Sequence, residues 1–171
     1  MSVESERRMK GSLKKFDSGE HNVYDVKGKD AMMAYLNRRF PKYKTIENPN
    51  KHGIDLLTLN DDERVVACWE IEVRYGNWSG DIKFPFSEIN CIERKDYQWR
   101  KEFSFTEKIP FKLAVGYEVT YVQLNKECTR AVLIKSTTIL KYPLKPWANR
   151  KADNEYVRQV PIGETVQLKI A

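Results

Sequence analysis

Residues Val65–Arg74 read VVACWEIEVR, and Gly53-Ile54-Asp55 stands a short distance upstream. Taken as a strand, the odd positions Val65, Ala67, Trp69, Ile71 and Val73 share one face and are wholly apolar. The even positions Val66, Cys68, Glu70, Glu72 and Arg74 begin apolar and turn charged halfway along. A face turned to solvent would be polar throughout; this one buries its first half and then presents two carboxylates. Side chains two apart on a strand lie about 6.6 Å from each other. Glu70 and Glu72, with Asp55 from a neighbouring strand, therefore have the spacing to hold one hard cation, or a cation and the water it activates. A half-exposed strand with an ordinary row of charges has the same pattern, so both readings stand at this level.

Working outward, residues 54–59 form the preceding strand, and Asn60-Asp61-Asp62 makes a tight turn between the two. In such a hairpin Asp55 and Glu70 come together at one end of the sheet. Residues 43–47 read as another strand, closed by the turn Asn48-Pro49-Asn50. Before it, Ala31, Met32, Tyr35, Leu36 and Phe40 recur at helical spacing over residues 29–40, and Pro41 ends the run. Residues 1–20 carry Arg7, Arg8, Lys10, Lys14 and Lys15 with few apolar residues. They read as a polar basic arm, either touching a phosphate backbone or simply solvated. Residues 21–171 then make a single domain.

Downstream, residues 75–85 are expected as a loop containing Gly76, Gly80 and an exposed Trp78, and 89–92 as a short strand. Residues 96–103 suggest a short helix with Arg94, Lys95, Arg100 and Lys101 as a basic flank. Two strands are predicted over 111–124 and 129–140, the second apolar on both faces and so central. Residues 147–154 read as a polar loop and 166–170 as a late strand. The whole is an α/β chain, with a mixed central sheet flanked by helices.

Composition narrows the function. A hydrophobic fraction of 41% against 32% charged residues describes a folded chain with a well-solvated surface. No apolar run is long enough to span a bilayer, and the N-terminus lacks the apolar core of a secretory signal. Cys68, Cys91 and Cys128 are odd in number and have no Cys-x-x-Cys pairing; they read as reduced thiols in a cytoplasmic protein. Thirty basic against 24 acidic residues, for a net charge of +6, tilt the chain modestly toward an acidic partner such as nucleic acid. Tyr75, Trp78, Tyr97 and Trp99, interleaved with Arg74, Arg94 and Arg100, would either stack on bases or form a satellite hydrophobic cluster. His21 and His52 sit in polar loops without metal-ligand spacing, and no phosphate-cradling glycine loop or nucleophile elbow is present.

Taken together, the helix, the three strands, Asp55 opening the second strand and Glu70-Ile71-Glu72 fifteen positions later resemble the core of PD-(D/E)XK nucleases. The resemblance covers roughly residues 29–74. Two positions depart from the family pattern: Glu72 stands where the family has Lys, and Ile54 where it has Pro before the Asp. Some restriction endonucleases of the superfamily have a similar Glu-x-Glu. An alternative register places Glu72-Val73-Arg74 on the motif, with Arg74 at the Lys position, but an arginine does not deprotonate to act as a base. Phe84-Pro85-Phe86 and Arg94-Lys95 also loosely resemble phage proteins of this kind, which would place the chain in a host cytoplasm.

The resemblance implies a restriction-endonuclease-like core of α-β-β-β-α-β order. It implies a Mg2+- or Mn2+-dependent nuclease, of endonuclease or junction-resolving type, acting on DNA. Asp55, Glu70 and Glu72 would be the metal ligands, with Glu72 alternatively a water-orienting base. Lys95 would supply the missing cation if its helix packs beside the third strand. Arg74, Arg94, Arg100, Lys101 and Trp78 would contact nucleic acid. A homodimer would suit paired cuts, although no residue requires one. The rival is a catalytically inactive nucleic-acid- or protein-binding module on the same fold.

Overall fold

The computed structural model describes residues 18–147 and 155–171. A long helix α1 (Ser18–Arg39) leads into strands β1 (Lys44–Glu47), β2 (Leu56–Leu59) and β3 (Val65–Arg74). Then follow β4 (Glu88–Ile92), a 3-10 turn over Glu93–Lys95, and the one-turn helices α2 (Asp96–Trp99) and α3 (Phe103–Thr106). The chain continues through β5 (Leu113–Asn125), β6 (Arg130–Lys135), the short α4 (Ser136–Ile139), β7 (Lys145–Pro146), β8 (Tyr156–Pro161) and β9 (Val166–Lys169).

Among the described residues six strands form one sheet in the order β1-β2-β3-β5-β6-β9, and β4-β8-β7 form a second. The large sheet is mixed: β3 and β5 run parallel, and every other neighbouring pair in it is antiparallel. The expected α/β architecture with a mixed central sheet is therefore present. The parallel pair matters for function. A chain leaving the end of β3 must travel back along the sheet before it can start β5, and β4, α2 and α3 lie on that return path.

Each face of the sheet has its own core. Met32 and Leu36 of α1 pack with Leu56, Ile71, Val122 and Leu124 on one face. On the other, Leu57, Cys68 and Tyr121 meet Ile89, Cys91, Trp99 and Phe105 from the return path. Alternation along β3 holds from Ala67 onward but not before it. Leu59 pairs with Val65 and Thr58 with Ala67, so Val66 is an extra residue in a bulge. The bulge moves Val65 into the core of Cys68, opposite the face its odd number predicts.

Helix α1 starts eleven residues before the expected 29–40 and stops one residue short of Phe40, which is exposed. Its first half escapes periodicity because Val23 and Val26 are exposed and the buried position that follows them is Gly28. Gly28 is there for contact: a Cβ on it would lie 2.6 Å from Val73 Cγ2, so its absence lets the helix press against β3. Residues 1–17 of the expected arm lie outside the described residues, and 18–20 belong to α1, as does His21, which the sequence placed in a loop.

Other expectations change in the same way. Residues 96–103 are not one helix but α2 and the start of α3, and 129–140 are β6 followed by α4. The single turn of α4 folds Ile139 back into the core. The expected loop 147–154 lies, apart from Trp147, outside the described residues. Strand β8 gave no alternating signal because Arg158 is buried in its middle.

Candidate functional site

Asp55 immediately precedes β2, one step beyond the Leu56–Trp69 pair, so it stands opposite Glu70. Cross-strand partners share a face, and this is the face covered by the return path. The Asp55 carboxylate is pinned by the strand itself: Ile71 N–H donates to Oδ2 at 2.7 Å. Glu70 is only 8% exposed and is held by two groups from outside the sheet. Lys95, at the end of the 3-10 turn, donates to its Oε1, and Gln98 Nε2 of α2 donates to its Oε2 at 3.1 Å. Lys95 and Gln98 are three apart, so one helical turn aims both at the same carboxylate.

Glu72 lies further along the same face, where the buried Tyr121 hydroxyl donates to its Oε2. Gln123 Nε2 in turn donates to that hydroxyl oxygen at 2.9 Å. Lys29 of α1 approaches from the other side, 2.9 Å from Asp25, 3.3 Å from Glu47 and 4.0 Å from Asp55. Asp55, Glu70, Glu72 and Lys95 border a cleft of about 340 Å3, walled also by His21, Tyr24 and Asp25 of α1 and by Tyr75 and Arg94.

The electrostatics follow from burial and crowding. Burial, then the neighbouring Glu70 charge, raises Asp55 to about 7; the Ile71 N–H, Lys95 and Lys29 oppose the shift without cancelling it. Burial works to lower the Lys95 pKa, but the charges of Glu70, Glu72 and Asp55 outweigh it and hold the ammonium above its ordinary value. Lys95 is thus a fixed cation and a poor base. Lys29 is raised in the same manner: burial opposes, while Asp25, Asp55 and Glu47 together prevail. Burial and Glu72 push Tyr121 well above the usual phenol range, so it stays a donor.

The helix that carries Gln98, and that Lys95 immediately precedes, is anchored by a buried ion pair. Arg158 of β8 grips Asp96 with Nη2 2.7 Å from Oδ2 and Nε 3.1 Å from Oδ1, and its third nitrogen donates to the Tyr142 carbonyl. Such a forked pair fixes direction as well as distance. It therefore sets where residues 95 and 98 point.

Of the residues singled out in the sequence, Asp55, Glu70, Glu72 and Lys95 converge on one cleft, and Arg94 is exposed at its edge. Lys95 does pack beside the third strand, where its ammonium meets Glu70. Arg100 is exposed and pairs with Asp96 and Glu102. Lys101 turns its ammonium onto the Tyr117 carbonyl and ring. Arg74 bonds Gln123 and Asn77 and lies over the rings of Phe84 and Phe86, so most of its guanidinium is committed inside the protein. Trp78 requires correction: it is 1% exposed, donates to the Ile82 carbonyl and packs edge-on against Phe84. It anchors the core and presents no face to a base; buried Trp99 is excluded likewise.

Sequence reading missed Lys29, Gln98, Tyr121 and Gln123. The i, i+3 spacing of Lys95 and Gln98 and the alternation of Tyr121 with Gln123 were the available signals, but neither names a partner.

The donors suit a hard divalent cation in type, since Asp55 and Glu70 are carboxylates and magnesium commonly uses only one or two of them. Asp55, raised first by burial and then by the neighbouring Glu70 charge, is the group such an ion would relieve. Among the described residues no three His, Cys, Asp or Glu side chains are gathered to hold an ion. Glu72 is turned to Tyr121 instead. No protein-family model matches the chain, and no curated protein matches it either.

Proposed function

We propose that the protein hydrolyses phosphodiester bonds of nucleic acid, with Asp55 and Glu70 holding a magnesium or manganese ion. The observation that carries this reading is the meeting of Asp55, Glu70 and Lys95, from three separate segments, in one open cleft. An acidic pair with a lysine is the set that the resemblance to PD-(D/E)XK nucleases implies, with residue 95 supplying the lysine that position 72 lacks. The succession α1, β1, β2, β3, the return path with its helices and the parallel β5 is compatible with the restriction-endonuclease-like order. When bound, the ion would acidify a water and offset charge on the phosphate.

The residues divide the remaining work. Lys95, held protonated, balances negative charge that grows on the phosphate oxygens in the transition state. Gln98 keeps Glu70 in position, and the Ile71 N–H does the same for Asp55. Glu72, oriented by Tyr121, is the carboxylate placed to accept a proton from the attacking water. Arg94, exposed at the cleft, is the phosphate contact outside the reacting centre. DNA is the expected polymer. Among the described residues no helix is long and apolar enough to cross a membrane.

One observation favours a second reading, a binding module without catalysis. Both Glu70 oxygens are already engaged, by Lys95 and Gln98, so the site is partly neutralised by its own side chains. Incubation of single-stranded, duplex and branched DNA with magnesium or manganese, alongside Asp55→Ala, separates the two. Cleavage lost in the variant supports hydrolysis; binding without cleavage by the parent protein supports the module.

A further inference from the structure

Tyr24 of α1 and Tyr75, the residue after β3, stack with ring centroids 4.6 Å apart and planes 3° from parallel. Both rings are only half buried, and both line the cleft that contains Asp55, Glu70 and Lys95. Tyr24 lies on α1 and Tyr75 directly follows β3, the two elements that Gly28 draws together, since its missing Cβ lets α1 approach Val73. Stacking fixes both ring planes beforehand, so a third ring added to the pile would lose little further freedom. The tryptophans of this region cannot serve, because Trp78 and Trp99 are in the core.

The cleft's dimensions bear on what could use this aromatic wall. At about 340 Å3 it is at the small end of ligand pockets, which run from about 300 to 1,000 Å3. The carboxylates are flanked by the first turns of α1 on one side and by Arg94 and Lys95 on the other. A strand inside a duplex brings its paired partner with it and has its base faces covered by neighbours. An unpaired nucleotide has a free π-face and brings no second strand.

We infer that this cleft takes an unpaired nucleotide of single-stranded or frayed nucleic acid, with its base against the Tyr24–Tyr75 pair and its phosphate toward Lys95 and Arg94. The inference rests on the phosphodiester reading above and narrows its substrate class to unpaired strands. Arg94 is the solvent-exposed cation of the set, and Lys95 the half-buried one beside the carboxylates.

The test is fluorescence anisotropy in EDTA, with a labelled single-stranded 12-mer of DNA and a hairpin duplex as probes. The wild-type protein is expected to bind the single strand at least about tenfold more tightly than the hairpin. Tyr24→Leu and Tyr75→Leu should each weaken single-strand binding about 5- to 150-fold, the range of one base stack. Tyr75→Phe, which retains the ring, should bind within about threefold of wild type. Equal or tighter binding of the duplex, or leucine variants that bind like wild type while melting normally, would overturn the inference. The wild-type comparison of the two probes decides the question even if a variant fails to fold. Tyrosine-dependent single-strand binding without magnesium- or manganese-dependent cleavage would leave this inference standing and remove the hydrolytic reading. Asp55-dependent cleavage of duplex, indifferent to the tyrosines, would do the reverse.

Discussion

The Lys95 ammonium donates directly to the Glu70 carboxylate across 25 residues of sequence. Glu70 is a buried residue of a central strand, and Lys95 reaches it only because the chain must pass back over the sheet to begin β5 parallel to β3. The pair is therefore a product of topology, and its functional weight can be measured. Lys95→Ala is expected to slow cleavage by about 10- to 1000-fold, equivalent to roughly 1.4 to 4 kcal/mol of transition-state stabilisation. Lys95→Arg should recover part of the loss, since it restores charge but not the compact ammonium. Single-turnover rates at saturating substrate read both; an unchanged rate for Lys95→Ala would remove Lys95 from the chemistry.

Asp55 makes a prediction about pH. Its carboxyl titrates at about 7 in the folded protein and near 3.9 unfolded. Between those values the folded state binds the extra proton, so this contribution to stability is complete below about pH 4 and is lost as pH rises to 7. The loss is at most about 4 kcal/mol, from about three pH units at 1.4 kcal/mol each. Asp55→Asn mimics the protonated form. In EDTA its melting temperature should exceed that of wild type at pH 8, and the gap should close toward pH 4.5. Parallel curves across that range would show that Asp55 is not strained by its surroundings.

Metal binding should act on the same group. An ion that binds only the folded protein adds about 2.7 kcal/mol of stability at a hundred times its Kd. Millimolar magnesium or manganese is expected to raise the melting temperature of the wild type at pH 8, and to do so far less for Asp55→Asn. Glu72→Gln should keep most of the rise, because the Glu72 carboxylate is turned to Tyr121. Equal shifts in wild type and Asp55→Asn would place the ion elsewhere.

Gly28 separates helix propensity from packing. In an exposed helix, Gly→Ala gains about 0.5 to 1 kcal/mol. Here the new Cβ would sit 2.6 Å from Val73 Cγ2 and 3.3 Å from Leu124 Cδ1. Overpacking of this kind costs about 1 to 3 kcal/mol, so Gly28→Ala should be net destabilising in urea unfolding. Pairing it with Val73→Ala should recover part of the loss, as expected for residues in contact.

The strands of residues 43–74 and the core face of β3 from Ala67 onward were legible in the sequence, because alternation and turn residues are local signals. The grouping of Asp55 with Glu70 was legible for the same reason: a short hairpin leaves little freedom in which ends meet. The bulge at Val66 was not, since two valines in succession do not say which one the ladder omits. Trp78 looked exposed in a glycine-containing loop, yet the Phe84 edge and the Ile82 carbonyl draw it inside. The beginning of α1 was hidden because contact with β3 is made there by the absence of a side chain at Gly28. The cation beside Glu70 was decided only by tertiary structure: Arg158, 62 residues beyond Asp96, grips that residue, which stands between the inward-pointing Lys95 and Gln98. Local pattern sets which residues share a strand face; which distant charge comes to rest against that face depends on the long-range packing of buried ion pairs, and no short window of sequence contains both partners.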